Sequence, residues 1–298
     1  MILAEALLDA GQVQPIIISQ ASSLALFADT RVPVVNFPLL HRVPSAIAED
    51  WYTEVLDALL MQLDPAVVIE DTYPDQRYAR LPALADRPRL LVLRRLDGDS
   101  FDTIRTAGAF TRYDQVLIAQ DEESFSREGH SRETLTAVAS SGQFESVGPI
   151  FRSTTPAEID AVRAEYAPDG LPLVVVNGGA GGDQMPDGYG DRLFHACITV
   201  AARLGADGSA VRFVMVTGPY YAGRPLEERD NVMVRRFEAR LHALLAVAQV
   251  AVIKPGNNAL SEALIGGAHL VLVPDASFME GLTDVVSLRT NGDVDDGH

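Results

Sequence analysis

Residues 249–274, QVAVIKPGNNALSEALIGGAHLVLVP, constrain the fold of this chain more than any other stretch. A β-rich apolar run at 250–253 leads into the turn Lys254-Pro255-Gly256-Asn257-Asn258. A short helical pattern follows, stopped by Gly266-Gly267, and a second apolar run at 270–273 ends at Pro274. Strand, turn, helix and strand in that order predict a βαβ unit of a parallel sheet. The turn then lies at the carboxyl end of a strand and the amino end of a helix. Free N–H groups and the positive end of the helix dipole favour an anion there. Glu262 falls one turn further on, where a carboxylate can accept hydrogen bonds from a sugar diol.

A chain of 298 residues has room for two domains. The sequence places the boundary near 150, giving domains 1–150 and 151–298. In the first, residues 2–10 read as a helix closed by Gly11, and 14–19 and 32–37 as buried strands. Apolar residues at Ile47, Trp51, Val55, Leu56, Leu59, Leu60 and Leu63 predict one core-facing helix over 45–63, with Ser45 as its N-cap. Strands follow at 66–69, 89–93 and 115–119. In the second domain, Thr155-Pro156-Ala157-Glu158 is a capping box with proline at the first helical position. A strand at 173–176 runs into NGGAGGD (177–183), then a helix over 191–204, strands at 211–217 and 231–234, and a helix over 239–248. This alternation predicts α/β domains with mostly parallel, doubly wound sheets. Such a domain opens with a strand and a glycine turn, so a first strand is expected to be missing before Ile2. The sheet edge left there would favour a homodimer.

Composition narrows the function. A net charge of −17 argues against nucleic acid and anionic lipid as general partners. A nucleotide remains compatible, because a local ring of backbone donors can hold a diphosphate inside an acidic exterior. The single Cys197 excludes an intrachain disulfide framework and a cysteine metal site. No apolar run approaches the roughly 18–20 residues that span a bilayer. MILAEALLDAG reads as an amphipathic helix, so the cytoplasm is the expected location.

Gly178, Gly179, Gly181 and Gly182, directly after a strand, permit close backbone approach to a diphosphate, although such corners also exist for packing alone. No Lys-Ser or Lys-Thr follows them, so this is not a Walker loop. Their weight comes from the second corner at Gly256, Asn257 and Asn258, expected on a neighbouring parallel strand. In the first domain Glu70-Asp71-Thr72-Tyr73-Pro74 ends a strand, and Asp71 is a candidate general base, with a cap or turn carboxylate as the commoner reading. Asp97, Asp99 and Asp102 read as a solvated loop, and Asp293, Asp295 and Asp296 as tail. The histidines lack ligand spacing: His195 and His242 fall in helical patterns, and His41 follows a strand of the first domain. Neither GxSxG nor HExxH occurs.

With these positions in hand, the second half resembles the nucleotide-sugar domain of GT-B glycosyltransferases. The likeness is to the branch with the peptidoglycan N-acetylglucosaminyltransferase and related predicted glycosyltransferases. It runs through Gly148-Pro149-Ile150-Phe151-Arg152, residues 177–183, residues 237–249, and PGNNALSEAL with the LVLVP that follows. The first half matches by pattern. The resemblance implies two Rossmann-like domains facing a cleft. It implies inverting, metal-independent transfer of a hexose or hexosamine from a nucleotide-diphosphate sugar, uridine-linked, to a hydroxyl acceptor. Glu262 would hold the ribose, and Gly179, Ala180, Gly181 and Gly182 the diphosphate. Phe237 and Glu238 would edge the base, Arg152 would lie near the nucleotide, and a first-domain base would deprotonate the acceptor. Ala180 stands where the family often has a serine, and Asp275-Ala276-Ser277 where it usually has a polar pair after Pro274. The family's closing helices are also expected to be missing. Two alternatives follow: a nucleotide-sugar hydrolase or epimerase on this scaffold, or an inactive relative acting as a binding partner.

Overall fold

The computed structural model describes residues 1–21, 24–37, 45–179, 188–254 and 256–273. Its contacts separate two compact units: residues 36–150, and residues 1–35 with 151–298. The chain opens with helix α1 (Ile2–Ala10), closed by Gly11 in the left-handed conformation at φ 69°. Strands β1 (Ile17–Ser19) and β2 (Val34–Asn36) come next. Both are shorter than expected and half-exposed rather than buried, because they pair only with each other among the described residues.

Among the described residues, the first helix of the unit of residues 36–150 is α2 (Ser45–Leu63). The seam it buries is Tyr52, Leu56 and Leu60, spaced at four residues, whereas Val55 is exposed. Phe37 packs edge-on against Tyr52 with ring centroids 5.5 Å apart. Strands β3 (Val68–Thr72), β4 (Arg89–Leu93), β5 (Gln115–Ile118) and β6 (Phe144–Ser146) form a parallel sheet in that order. Helices α3 (Gly98–Thr106), α4 (Glu122–Ser126) and α5 (Arg132–Ser140) fill the connections. The run at 97–102 is therefore no solvated loop. Asp97 caps α3 by accepting from the Ser100 N–H, and Asp99 and Asp102 lie inside that helix. The core gathers Leu91, Leu93, Val116 and Ile118 from the strands against Phe101, Phe110 and Phe125.

The unit that carries residues 151–298 is built on five parallel strands. Helix α6 (Pro156–Tyr166) starts at the capping box of Thr155 and Glu158. After it come β7 (Leu173–Asn177), α7 (Tyr189–Ala206), β8 (Arg212–Val216), β9 (Val232–Arg235), α8 (Leu241–Val247), β10 (Val250–Ile253), α9 (Asn257–Gly266) and β11 (His269–Leu272). Period-two alternation sorts each strand between two cores. Leu173, Val175, Val214, Val216, Ala251 and Ile253 face α6, α8 and α9. Val176, Phe213 and Met215 face α7 through Leu193, Phe194 and Cys197. Each fully buried aliphatic of this kind stabilises by about 1.5–3 kcal/mol, so two-sided cover holds the sheet without help from its edges.

Helices α8 and α9 meet so closely that a Cβ on Gly266 would lie 2.5 Å from the Ala246 Cα. Gly266→Ala is expected to destabilise the fold by about 1–3 kcal/mol through overpacking, read as a lower urea midpoint. A midpoint equal to wild type would show that the two helices separate freely.

Candidate functional site

The strand order β11-β10-β7-β8-β9 puts the first strand of this sheet in the middle. From β7 the chain builds outward through β8 and β9, then returns to the other side of β7 with β10. The order reverses between β7 and β10, and in open α/β sheets ligands bind at the carboxyl ends of such a pair. Asn177 stands opposite Ile253 in this pairing, and the Lys254 N–H donates to the Asn177 carbonyl at 3.1 Å. The two glycine-bearing corners therefore leave the same sheet edge side by side.

The first corner is shaped by Asn177, which is buried. Its Oδ1 accepts the Gly179 N–H at 3.0 Å, and its Nδ2 donates to the Val216 carbonyl at 3.4 Å. This turn sends Gly179 to φ 80°, a conformation that disfavours a side chain. Gly178 answers a different need, since a Cβ there would lie 3.0 Å from the Phe194 ring. Ala180, Gly181 and Gly182 lie outside the described residues, as do His41, Pro255 and everything from Pro274 onward.

Helix α7 begins beyond that corner and is tied to the other strand ends. The Tyr189 hydroxyl donates to the Val273 carbonyl at 2.5 Å, and the Lys254 ammonium lies 5.0 Å from the Tyr189 ring centroid. Asp191 is buried and accepts from the Arg224 N–H and Nε at 2.9 and 2.7 Å and from the Tyr221 hydroxyl at 2.8 Å. It fastens the segment after β8 to the first turn of α7. The sequence reading missed Tyr189, Asp191 and Lys254. One signal was present, since Lys254 is the chain's single lysine among 24 basic residues.

The helix starts themselves differ across the molecule. α3, α4, α5 and α6 each receive a side-chain cap, from Asp97, Asp121, Ser131 and Thr155. α1, α7, α8 and α9 have no side-chain cap, and of these α7 and α9 start at Gly188 and Gly256.

On α9, Asn258 is exposed and Glu262 is half-buried. Burial pushes the Glu262 carboxyl up to about 7, while the backbone N–H and guanidinium of Arg152 favour its ionised form. Arg152 is half-buried, with its guanidinium 3.8 Å from Glu158. Phe237 is half-buried. Glu238 is buried and already engaged, accepting from the Tyr166 hydroxyl and from the Arg240 N–H and Nε at 2.9 and 3.2 Å. That pairing ties α6 to α8 and leaves Glu238 a clear structural role.

In the other unit, β3 runs over Val68–Thr72, two to three residues later than the sequence pattern suggests. Glu70 and Asp71 are consequently inside the strand and point to opposite faces. Glu70 is buried against Arg89 and Tyr113, and Asp71 is exposed. Thr72 follows at φ 87°, a rare conformation for a β-branched residue.

A Rossmann-like parallel sheet in each unit, with a switch point in the second, defines the GT-B class of α/β folds. Among solved structures, this chain is similar to a UGT transferase from Siraitia grosvenorii in complex with UDP. The TM-score is 0.60 at 15% identity, over 97% of this chain and 79% of that one. It is similar also to the glycotransferase of kitacinnamycin, at TM-score 0.56 and 19% identity, over 97% of this chain and 80% of that one. A putative UDP-N-acetylglucosamine 2-epimerase from Listeria monocytogenes shares the fold at TM-score 0.53 and 10% identity, over 98% of this chain and 83% of that one. At such identities the likeness is one of fold. No protein-family model and no curated protein sequence matches the chain. No helix among the described residues is long and apolar enough to cross a membrane.

Proposed function

We propose that this protein is a glycosyltransferase that moves a hexose or hexosamine from a uridine diphosphate sugar to a hydroxyl acceptor, with inversion and without a metal. The observation that carries the reading is the pair of glycine-bearing corners that leave the carboxyl ends of the neighbouring parallel strands β7 and β10 at the switch point, with Gly179 at φ 80° in the first. Their amides are suited to a diphosphate, and they stabilise most strongly the charge that develops on it as the sugar departs. Glu262, one turn into α9, is the acid for the ribose hydroxyls, and Gly179, Ala180, Gly181, Gly182, Gly256, Asn257 and Asn258 form the corners. Phe237 serves the base, and Arg152 lies near the nucleotide. Asp71 takes the acceptor's proton as the acceptor oxygen attacks the anomeric carbon. The bond from that carbon to the diphosphate oxygen breaks on the opposite face, leaving uridine diphosphate.

The test is calorimetry with uridine diphosphate. Glu262→Ala is expected to weaken binding by about 1–3 kcal/mol, the scale of lost charge-assisted hydrogen bonds. Unchanged affinity would remove Glu262 from the site. The fold shared with a putative epimerase favours a second reading, turnover of the nucleotide sugar alone. Incubation with UDP-N-acetylglucosamine and no acceptor separates the two, since an epimerase generates a new sugar epimer and a transferase does not.

A further inference from the structure

The chain's single lysine, Lys254, directly follows β10 at the switch point. Its N–H donates at 3.1 Å to the carbonyl of Asn177, the residue whose Oδ1 shapes the first corner by accepting the Gly179 N–H. On the other side of β10, the Val273 N–H donates to the Ile253 carbonyl at 3.0 Å, so neighbours on both sides fix the strand end. Alternation then decides where the lysine side chain goes. Ile253 faces α6, α8 and α9, whereas Val252 faces α7, and Lys254 follows Val252. Its ammonium lies 5.0 Å from the ring centroid of Tyr189, the first residue of α7. That ring is itself pinned, because the Tyr189 hydroxyl donates to the Val273 carbonyl at 2.5 Å. The ammonium is thereby held at the start of α7, among the ends of β7, β10 and β11.

We propose that Lys254 is a further donor-binding residue, whose ammonium contacts the diphosphate and sets a preference for a nucleoside diphosphate over the monophosphate. Contact with a nucleotide rests on the reading of the switch point as a nucleotide-sugar site; the position of the ammonium does not. Elsewhere in this unit carboxylates are paired by arginine, as Asp169 is by Arg212 and Asp191 by Arg224. The planar fork of arginine matches a carboxylate. Lysine instead brings a compact point charge with three rotatable donors, which suits phosphate oxygens arriving beside a turn of backbone amides. The positive end of the α7 dipole disfavours a second positive charge beside it, and an anion at that place is attracted by both. The Tyr189 face attracts the ammonium without offering a hydrogen-bond acceptor, so this contact and a phosphate contact are compatible.

A lone lysine is also a lone reporter. Reductive methylation of the full-length chain with carbon-13 formaldehyde labels Lys254 and the terminal amine of Met1, and keeps the positive charge. The Lys254 resonance is the one lost in Lys254→Met. Uridine diphosphate, and inorganic pyrophosphate at millimolar concentration, are each expected to shift the Lys254 methyl resonance and leave that of Met1 in place, whereas uridine should move neither. Calorimetry on the unmodified protein supplies the second arm. Lys254→Met is expected to bind uridine diphosphate about 10–100-fold more weakly, the scale of one charge-assisted contact, and uridine monophosphate within about threefold of wild type. Lys254→Arg, which keeps the charge but not its shape, should recover part of the loss. A Lys254 resonance unmoved by both uridine diphosphate and pyrophosphate overturns the proposal, and if calorimetry still shows uridine diphosphate bound, the proposed function stands without it. Wild-type affinity in Lys254→Met, or equal losses for the mono- and diphosphate, overturns it as well. A resonance shifted by pyrophosphate in a protein that does not bind uridine diphosphate upholds the anion contact and sinks the proposed function instead.

Discussion

Replacing Asp71 by asparagine is expected to lower sugar transfer by about 10²–10⁴-fold while uridine diphosphate binds as in the wild type. That range is the usual contribution of a positioned general base, and asparagine keeps the shape while losing the ability to take a proton. The case for Asp71 comes from its place in the strand. Alternation buries Glu70 beneath the sheet and turns Asp71 to solvent, near the carboxyl end of β3. Directly after it, Thr72 holds φ 87°. A conformation of that kind typically costs about 1–3 kcal/mol and collects at functional sites, where the surrounding structure imposes it. The assay is release of uridine diphosphate from UDP-glucose and UDP-N-acetylglucosamine against a panel of hydroxyl acceptors. Equal turnover by the variant would reject Asp71 as the base. A loss of both turnover and nucleotide affinity would point to damage to the fold and not to lost chemistry.

The largest stability effect is expected at Arg89. Its guanidinium pairs with Glu70 where both side chains are under 10% exposed, at 7% and 4%. The Tyr113 hydroxyl donates to the other Glu70 oxygen at 2.6 Å, and burial together with that carboxylate pushes the Tyr113 phenol well above its ordinary range. Arg112 stands further off, at 3.9 Å from the same oxygen. Arg89→Met removes the close cation and leaves a carboxylate buried with one hydroxyl and one distant charge. Breaking a buried pair in this way costs about 3–5 kcal/mol, a large share of a small unit's stability. Urea unfolding at neutral pH should show it. Replacing both partners, as in Glu70→Leu with Arg89→Met, should recover most of the loss, because two apolar side chains need no mutual compensation. A single variant within about 1 kcal/mol of wild type would show that water or Arg112 already screens Glu70.

The parts of this protein legible in its sequence are those whose cause is local. Residues 249–273 contain their own instructions: apolar strand, glycine corner, helix, Gly267 at φ 77° to end it, apolar strand. The capping box at Thr155 and Glu158 and the stop at Gly11 are equally local, because each involves neighbours within a few residues. The pairing of β7 with β10 could be expected from alternating patterns, since a βαβ chain has few ways to cover its strands.

What only the tertiary structure decided depends on partners far away in sequence. The phase of β3 was misread from its apolar run at 66–69, because Glu70 enters the strand only once Arg89 and Tyr113, 19 and 43 residues on, take up its charge. Strands β1 and β2 looked buried by composition, yet what covers a strand depends on the sheet it joins, and these two join neither large one among the described residues. Tyr189 reaches Val273 across 84 residues and Asp191 reaches Arg224 across 33, so the lacing of the corners had no local trace. Glu238 and Glu262 look alike on paper, one acid apiece beside an apolar helix. The folded chain gives Glu238 a tyrosine and an arginine to hold it, and leaves Glu262 half-buried on α9, where burial pushes its carboxyl up to about 7.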